Sequence, residues 1–307
     1  MTEHTPASAP HGPRRVQFGP DSAWAETHRH EAEEISRYQV LGERSSGTNY
    51  IDTLLANNLA IKPRSQFQWK HGYPMTHFIP RTHLTIVTFR DPLDWLRSMH
   101  KKPWHAPQEM WQLSFSEFLR CPWRTEVDDW IIRDDLRELR RLEHPLRYAA
   151  ARVWNHFIRA RYEIHRGWVE PSDKVKTAVF GLPVQEDLDP VDGTPFANIL
   201  HLRNAKMRGF LSLRNRSCNY VFVRFEEVRT NPEAFVGMLH HEFGLQRAGP
   251  FKPVEKWLGT LPPDQKIRQS GASPEAISDE DLSFVRDTLD AELEAQVGYS
   301  LPERAAS

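Results

Sequence analysis

Only two cysteines, Cys121 and Cys218, stand among 307 residues. A disulfide framework is therefore not implied, and a reducing compartment fits. No apolar run approaches the roughly 20 residues that a membrane-spanning helix needs. The N-terminus lacks the apolar core of a secretory signal. Net charge is missing too: 40 Lys and Arg against 41 Asp and Glu leave −1 at pH 7. Bulk charge thus gives no reason to expect nucleic acid or an acidic membrane as partner. No internal repeat with a solenoid period is present. What remains is the balance of an ordinary soluble globular protein, 39% hydrophobic and 26% charged, with chain enough for one large domain or two small ones. A cytoplasmic enzyme is the expectation.

The stretch that orders the rest is Gly42-Glu43-Arg44-Ser45-Ser46-Gly47-Thr48-Asn49-Tyr50. It follows a strand-like run, Tyr38 to Leu41, and precedes a helix-like run, Tyr50 to Leu59, with Ile51, Leu54, Leu55 and Leu59 on one face. Strand, glycine-bounded loop and helix form a phosphate cradle, because N–H groups and the positive dipole end at a helix start suit phosphate or sulfate. The two glycines have P-loop spacing. The next two residues break that motif: Thr48 stands where the lysine belongs and Asn49 where the magnesium-binding hydroxyl belongs. The loop has the means to hold an anion but lacks the parts that handle a magnesium–triphosphate.

Residues 1–35, rich in Pro, His, Ala and charge, read as a flexible tail, with a short helix around Ala23 to Ser36 as the alternative. Residues 36–300 read as a single α/β domain. Lys70-His71 lies on a turn marked by Gly72 and Pro74, between two expected core strands. A general base and a charge clamp are one reading of that pair, two solvated polar residues the other. Leu84 to Phe89 reads as a buried strand ending at Arg90-Asp91-Pro92, with Asp91 as N-cap and Pro92 in the first turn of the next helix. Arg90 and the Gly42 loop then share the carboxyl edge of a sheet, where ligands of open α/β folds collect. Ser98, two turns along that helix, reads by itself as a surface serine.

Residues 106–147 read as short charged helices inserted over the site edge, and Arg147 to Trp168 as a long helix. Residues 170–196 read as a loop. Asn198 to Arg216 reads as a basic helix with a solvated face through Lys206, Arg208 and Arg214. Tyr220 to Phe225 reads as another buried strand. The helix after Asn231-Pro232 is closed by Gly244. Residues 246–278, with Lys252, Lys256, Lys266 and Arg268, read as a mobile flap, and Ser278 to Gln296 as one terminal helix capped at Ser278 and Asp281. The alternation predicts a three-layer αβα fold with a mainly parallel central sheet and helical insertions.

Taken together, these motifs resemble the family of sulfotransferases that use 3′-phosphoadenosine 5′-phosphosulfate (PAPS). That family's 5′-phosphosulfate loop follows the first strand and reads Lys/Arg-Ser-Gly-Thr-Thr-Trp. Ser46-Gly47-Thr48-Asn49-Tyr50 is similar, with Arg44 one place upstream of the usual cation and Ser45 in that cation's place. Its 3′-phosphate element is a strand followed by Arg-x-Pro and a serine eight residues after the arginine, a spacing met by Arg90, Pro92 and Ser98. Its base lies between them as Lys-x-His; Lys70-His71 lacks the intervening residue. Arg224 to Glu227 with Asn231-Pro232 is similar to the family's Tyr-Glu-Asp and Asp-Pro segment, with Phe225 in place of Tyr. For the late Arg-Lys-Gly element, Lys266 to Gly271 is only a loose candidate.

The resemblance covers roughly residues 37–245 and implies a P-loop-like sulfotransferase fold. It implies His71 as the base, with His77 and His105 as the replacements to test. It further implies Arg44, Thr48 and Lys70 on the sulfuryl group, loop residues Ser45 to Asn49 around the phosphosulfate, Tyr50 stacked on adenine, and Arg90 with Ser98 on the 3′-phosphate. PAPS would be the co-substrate, no metal would be required, and the acceptor would be a hydroxyl or amine of a small molecule or glycan. Trp69, Tyr73, Trp104, His105 and Trp111 are candidates for an aromatic acceptor pocket or for core. The alternatives are a P-loop kinase or NTPase, which predicts ATP and magnesium, and a non-catalytic nucleotide-binding protein of the same fold.

Overall fold

The computed structural model describes residues 10–20, 24–30, 33–63, 70–74, 79–123, 125, 187–255, 274 and 276–301. Its centre is a six-stranded mixed sheet in the order β1-β2-β6-β5-β3-β4. The strands are β1 (His11–Val16), β2 (Ala25–Arg29), β3 (Arg37–Gly42), β4 (Lys62–Pro63), β5 (His83–Phe89) and β6 (Asn219–Arg224). Pairings β3–β4, β3–β5 and β5–β6 are parallel, and β1–β2 and β2–β6 are antiparallel. The sheet is therefore only partly parallel, a correction to the mainly parallel expectation.

The correction comes from the N-terminal segment. Residues expected as a tail, or as a helix near Ala23 to Ser36, contribute β1 and β2. Their sequences lack apolar alternation because polar partners satisfy them. Glu26 on β2 receives both Arg214 and the Tyr220 hydroxyl, the latter at 2.9 Å. Arg14 on β1 pairs with Glu242. Such long-range pairs leave no period-2 signal to read.

The central strands do alternate. Tyr38, Val40, Leu84, Ile86, Val221 and Val223 face one cluster, which contains Ile51, Leu54 and Leu55 of α1 (Thr48–Asn58) and Phe235, Leu239 and Phe243 of a later helix, Pro232–Phe243. Leu41, Val87, Phe89, Tyr220 and Phe222 face the opposite cluster, with Met207, Phe210 and Leu211 of helix Ile199–Leu211. Helices thus cover both faces, as strands buried on two sides require. Among the described residues the α-helices, in chain order, are α1, α2 (Pro92–Lys101), α3 (Phe115–Arg120), α4 (Ile199–Leu211), α5 (Phe225–Thr230), α6 (Pro232–Phe243), α7 (Asp279–Thr288) and α8 (Ala291–Gln296). Among the described residues no helix is long and apolar enough to cross a membrane.

The terminal helix expected over Ser278 to Gln296 is two, α7 and α8. The break is held by α4: Asn204 donates to the Thr288 carbonyl and accepts the Asp290 N–H, both at 3.0 Å, and Asp290 caps α8 at Leu293. The basic helix is α4, but its face is not simply solvated. Arg203 is 2% and Lys206 0% exposed. The first part of the expected flap is tied down, since Asn58 exchanges bonds of 2.7 and 2.8 Å with the backbone of Lys252. The helix expected over 147–168 and the loose candidate 266–271 lie outside the described residues.

Parallel register sets the edge that matters. Gly42 pairs with Thr88, and Phe89 with Arg224. The carboxyl ends of β3, β5 and β6 therefore deliver the Gly42 loop, Arg90 and Phe225 to one rim of the sheet.

Candidate active site

The loop from β3 to α1 is closed by its own backbone. Ser46 donates to the Glu43 carbonyl through its N–H at 3.1 Å and its hydroxyl at 2.6 Å. Thr88 on β5 donates to the Ser46 carbonyl at 2.9 Å. Ser45 is left-handed at φ 62°, a conformation that costs a residue with a Cβ and persists only where its surroundings enforce it. Arg90 is one enforcer, donating from Nη1 to the Ser45 carbonyl at 2.9 Å. Burial lowers the Arg90 pKa below its ordinary value.

Gly47 caps α1 at φ 86°, and a Cβ there would lie 2.0 Å from Phe225 Cδ2. Gly47→Ala should therefore combine a left-handed penalty with a clash against a ring, about 2–5 kcal/mol of lost stability in urea unfolding. The added Phe225→Ala should recover part of that loss if the clash is the cause. Equal stability of the two variants would refute this packing.

Helix α1 begins without a side-chain cap, and its first internal bond runs from Ile51 N–H to the Gly47 carbonyl at 3.0 Å. The N–H groups of Thr48, Asn49 and Tyr50 therefore have no acceptor within the helix. They point out of its positive end, the arrangement that binds anions. The cation missing at position 48 comes from elsewhere: the Lys70 ammonium hydrogen-bonds Asn49 Oδ1 in the first turn of α1.

Lys70 and His71 are held there by Gly42, which donates its N–H to the Lys70 carbonyl at 3.0 Å. The Gly42 carbonyl accepts from His71 Nδ1 at 2.8 Å. A carbonyl only accepts, so Nδ1 carries the proton and the neutral ring keeps its lone pair on Nε2. His71 is 7% exposed. Burial, then the charges of Lys70 and Arg44, hold its pKa well below 6.5. The ring is neutral at neutral pH and has the form of a base.

Arg44 is 1% exposed and does not stand open in the loop. Its Nη1 lies 2.6 Å from Asp187 Oδ2, and its Nε donates to His105 Nδ1 at 3.1 Å. His105, at φ 62°, thus accepts on Nδ1. Burial and then Arg44 lower its pKa to about 3. Asp187, on a segment read only as loop, is a hub. It also takes Lys206 at 2.7 Å, Thr125 at 2.8 Å and Trp123 Nε1 at 3.1 Å. Burial alone would raise its pKa, but Arg44 and Lys206 pull it far below the usual carboxylate range. Lys206 also donates to the His71 carbonyl at 2.8 Å and sits 4.0 Å over the Tyr73 ring. One buried carboxylate therefore ties the loop, through Arg44, to the histidine segment, through Lys206.

Loop residues 45–49, Lys70, His71 and Arg90 are brought together. Tyr50 is half-buried and edge-on to Phe225 at 5.7 Å. Ser98 is half-buried on α2, its carbonyl accepting from Lys102 N–H. Of the aromatic candidates, Tyr73 belongs to the core, Trp104 is half-buried on the turn after α2, and Trp111 is half-buried in a 3-10 helix, Gln108–Gln112. Trp69 and His77 lie outside the described residues. Sequence reasoning missed Glu43, Asp187, Arg203 and Lys206 as parts of the site. For α4 a signal existed: Ile199, Leu202, Arg203, Lys206 and Phe210 fall at helical spacing on one face.

Comparison of the chain with protein-family models, with curated proteins and with solved structures finds no match.

Proposed function

We propose that this chain is a sulfotransferase with a P-loop-like fold, moving the sulfuryl group of PAPS to a hydroxyl or amine of a small-molecule or glycan acceptor. The observation that carries the reading is the meeting of an uncapped α1 N-terminus, the Lys70 ammonium and a neutral His71 around Gly42. The N–H groups of Thr48, Asn49 and Tyr50, with Lys70, hold the 5′-phosphosulfate. Arg90, with Ser98, takes the 3′-phosphate, and Tyr50 flanks the adenine. His71 Nε2 removes the acceptor proton as the acceptor oxygen or nitrogen bonds to sulfur and the sulfur–oxygen bond to the 5′-phosphate breaks. Charge growing on the departing oxygen is met by donors already in place, the usual source of a large catalytic effect.

The role of Arg44 changes. Its guanidinium is committed to Asp187 and His105, so it braces the loop instead of contacting the sulfuryl group. A magnesium-dependent kinase is the weaker reading. Thr48 and Asn49 lack the required chemistry, and the Lys70 ammonium on Asn49 puts positive charge where that metal would need a ligand.

The test is ligand-induced stabilisation in EDTA. Saturating 3′-phosphoadenosine 5′-phosphate should raise the unfolding midpoint by about 5 °C through mass action, with the rise lost in Arg90→Ala. No rise with this ligand, and a rise with magnesium–ATP, would overturn the reading.

A further inference from the structure

The loop holds a buried ionisable side chain that the mechanism above does not use. Glu43 follows Gly42 directly and is 5% exposed. Among the described residues neither of its buried carboxyl oxygens has a hydrogen-bond partner. Such a group carries a desolvation penalty that nothing on its own side chain offsets. The charged and titratable groups facing it come from every direction: Lys206 and Arg203 from α4, Asp187 from its loop, Arg44 beside it, and the Tyr73 phenol. The cations are engaged with others. Lys206 ion-pairs with Asp187 and donates to the His71 carbonyl, Arg44 ion-pairs with Asp187 through Nη1 and donates from Nε to His105, and Arg203 bonds Glu294 and the Arg90 carbonyl. Glu43 therefore feels positive charge without receiving a hydrogen bond from any of the described residues. Its backbone carbonyl meanwhile closes the turn that leads into the α1 N-terminus, by accepting both Ser46 donors.

Two negative charges so placed compete. An anion at the α1 N-terminus and an ionised Glu43 would be borne by the same short loop and repel one another, and among the described residues no donor is set aside for the carboxylate. We propose, resting on the phosphate-loop reading above, that Glu43 is a proton-linked regulator of that site: anion binding drives a solvent proton onto its carboxyl, and its ionisation weakens the anion. Burial, opposed by Lys206 and reinforced by Asp187, pushes the Glu43 carboxyl up to about 7, so the exchange falls where cells work. The sign follows from linkage. If the bound state holds more protons than the free state, affinity falls as pH rises, by at most about tenfold per pH unit for one proton.

The experiment is calorimetric titration of the full chain with 3′-phosphoadenosine 5′-phosphate at pH 7.5, in two buffers of different ionisation enthalpy. Wild type should take up a fraction of a proton approaching one, and affinity should drop several-fold between pH 6.5 and 8.5. The ligand's own phosphates would release protons on entering a cationic site, so uptake reports on the protein. Glu43→Gln should abolish the uptake and flatten the pH dependence. Uptake that survives in Glu43→Gln would assign the proton to His71 or His105 and overturn the proposal. Binding without buffer-dependent heat in wild type overturns it with no variant needed, and leaves the phosphate-loop reading standing. No binding at any pH would instead remove that reading, and this inference with it.

Discussion

Replacing His71 with alanine should lower turnover by about 10²- to 10⁴-fold, the range for loss of a positioned general base, while affinity for 3′-phosphoadenosine 5′-phosphate stays within about twofold. The separation follows from geometry. His71 meets the loop through its Nδ1–H bond to the Gly42 carbonyl, whereas the proposed anion contacts are α1 N–H groups and Lys70. The Gly42 N–H bond to the Lys70 carbonyl survives the change. The pH profile adds a second check. A base acts only when deprotonated, and burial with Lys70 and Arg44 keeps the His71 pKa well below 6.5. The acid limb of turnover should therefore lie below pH 6.5. Near-wild-type turnover of the alanine variant would remove His71 from the role.

Lys70→Met should weaken binding of the same ligand about 10- to 100-fold, the loss expected for one charge-assisted contact. It should also reduce the salt dependence of binding, because a charge that attracts the anion is gone. The argument is positional. Thr48 has no charge to offer, and the only cation bonded to the first turn of α1 among the described residues is Lys70, through Asn49. Arg44, within the loop itself, is held by Asp187 and His105. Unchanged affinity would mean that the helix end and Arg90 suffice, and that Lys70 serves the Asn49 side chain alone.

Much of this was legible in the residues, for identifiable reasons. The strands over 38–41, 84–89 and 220–224 announce themselves because both faces are covered, so apolar residues run continuously. The Gly42–Gly47 loop follows from glycine spacing, whereas the Phe225 ring that occupies the place of a Gly47 Cβ comes from a distant segment and is not legible there. Helix α2 starts where Asp91 and Pro92 indicate, with Asp91 accepting from Leu93 and Asp94 at 3.0 Å. The rest depends on contacts between distant segments. Strand β2 has one strongly apolar-looking neighbour, Trp24, and otherwise survives on partners such as Arg214 and Tyr220. Lys206 reads as a solvated cation until Asp187 is known to meet it. Arg44 reads as a ligand residue for the same reason: nothing local reveals that its charge is already matched.

That buried set also explains why a loop with two left-handed residues, Ser45 and Gly47, holds its shape. Breaking a buried pair from one side leaves the other charge uncompensated, which typically costs about 3–5 kcal/mol. Arg44 and Lys206 lean on one carboxylate, so the geometry of loop and histidine is locked as a unit. Such preorganisation suits a reaction in which donors must await developing charge.

The central claim is that the α1 N-terminus and Lys70 hold a phosphosulfate without magnesium. Its most direct test is calorimetric titration with 3′-phosphoadenosine 5′-phosphate in EDTA and again in magnesium, with ATP run beside it. The expected result is one affinity for the bisphosphate in both conditions, tighter than for ATP. Binding that appears only with magnesium, or that favours magnesium–ATP, would contradict the account and move the chain to phosphoryl transfer.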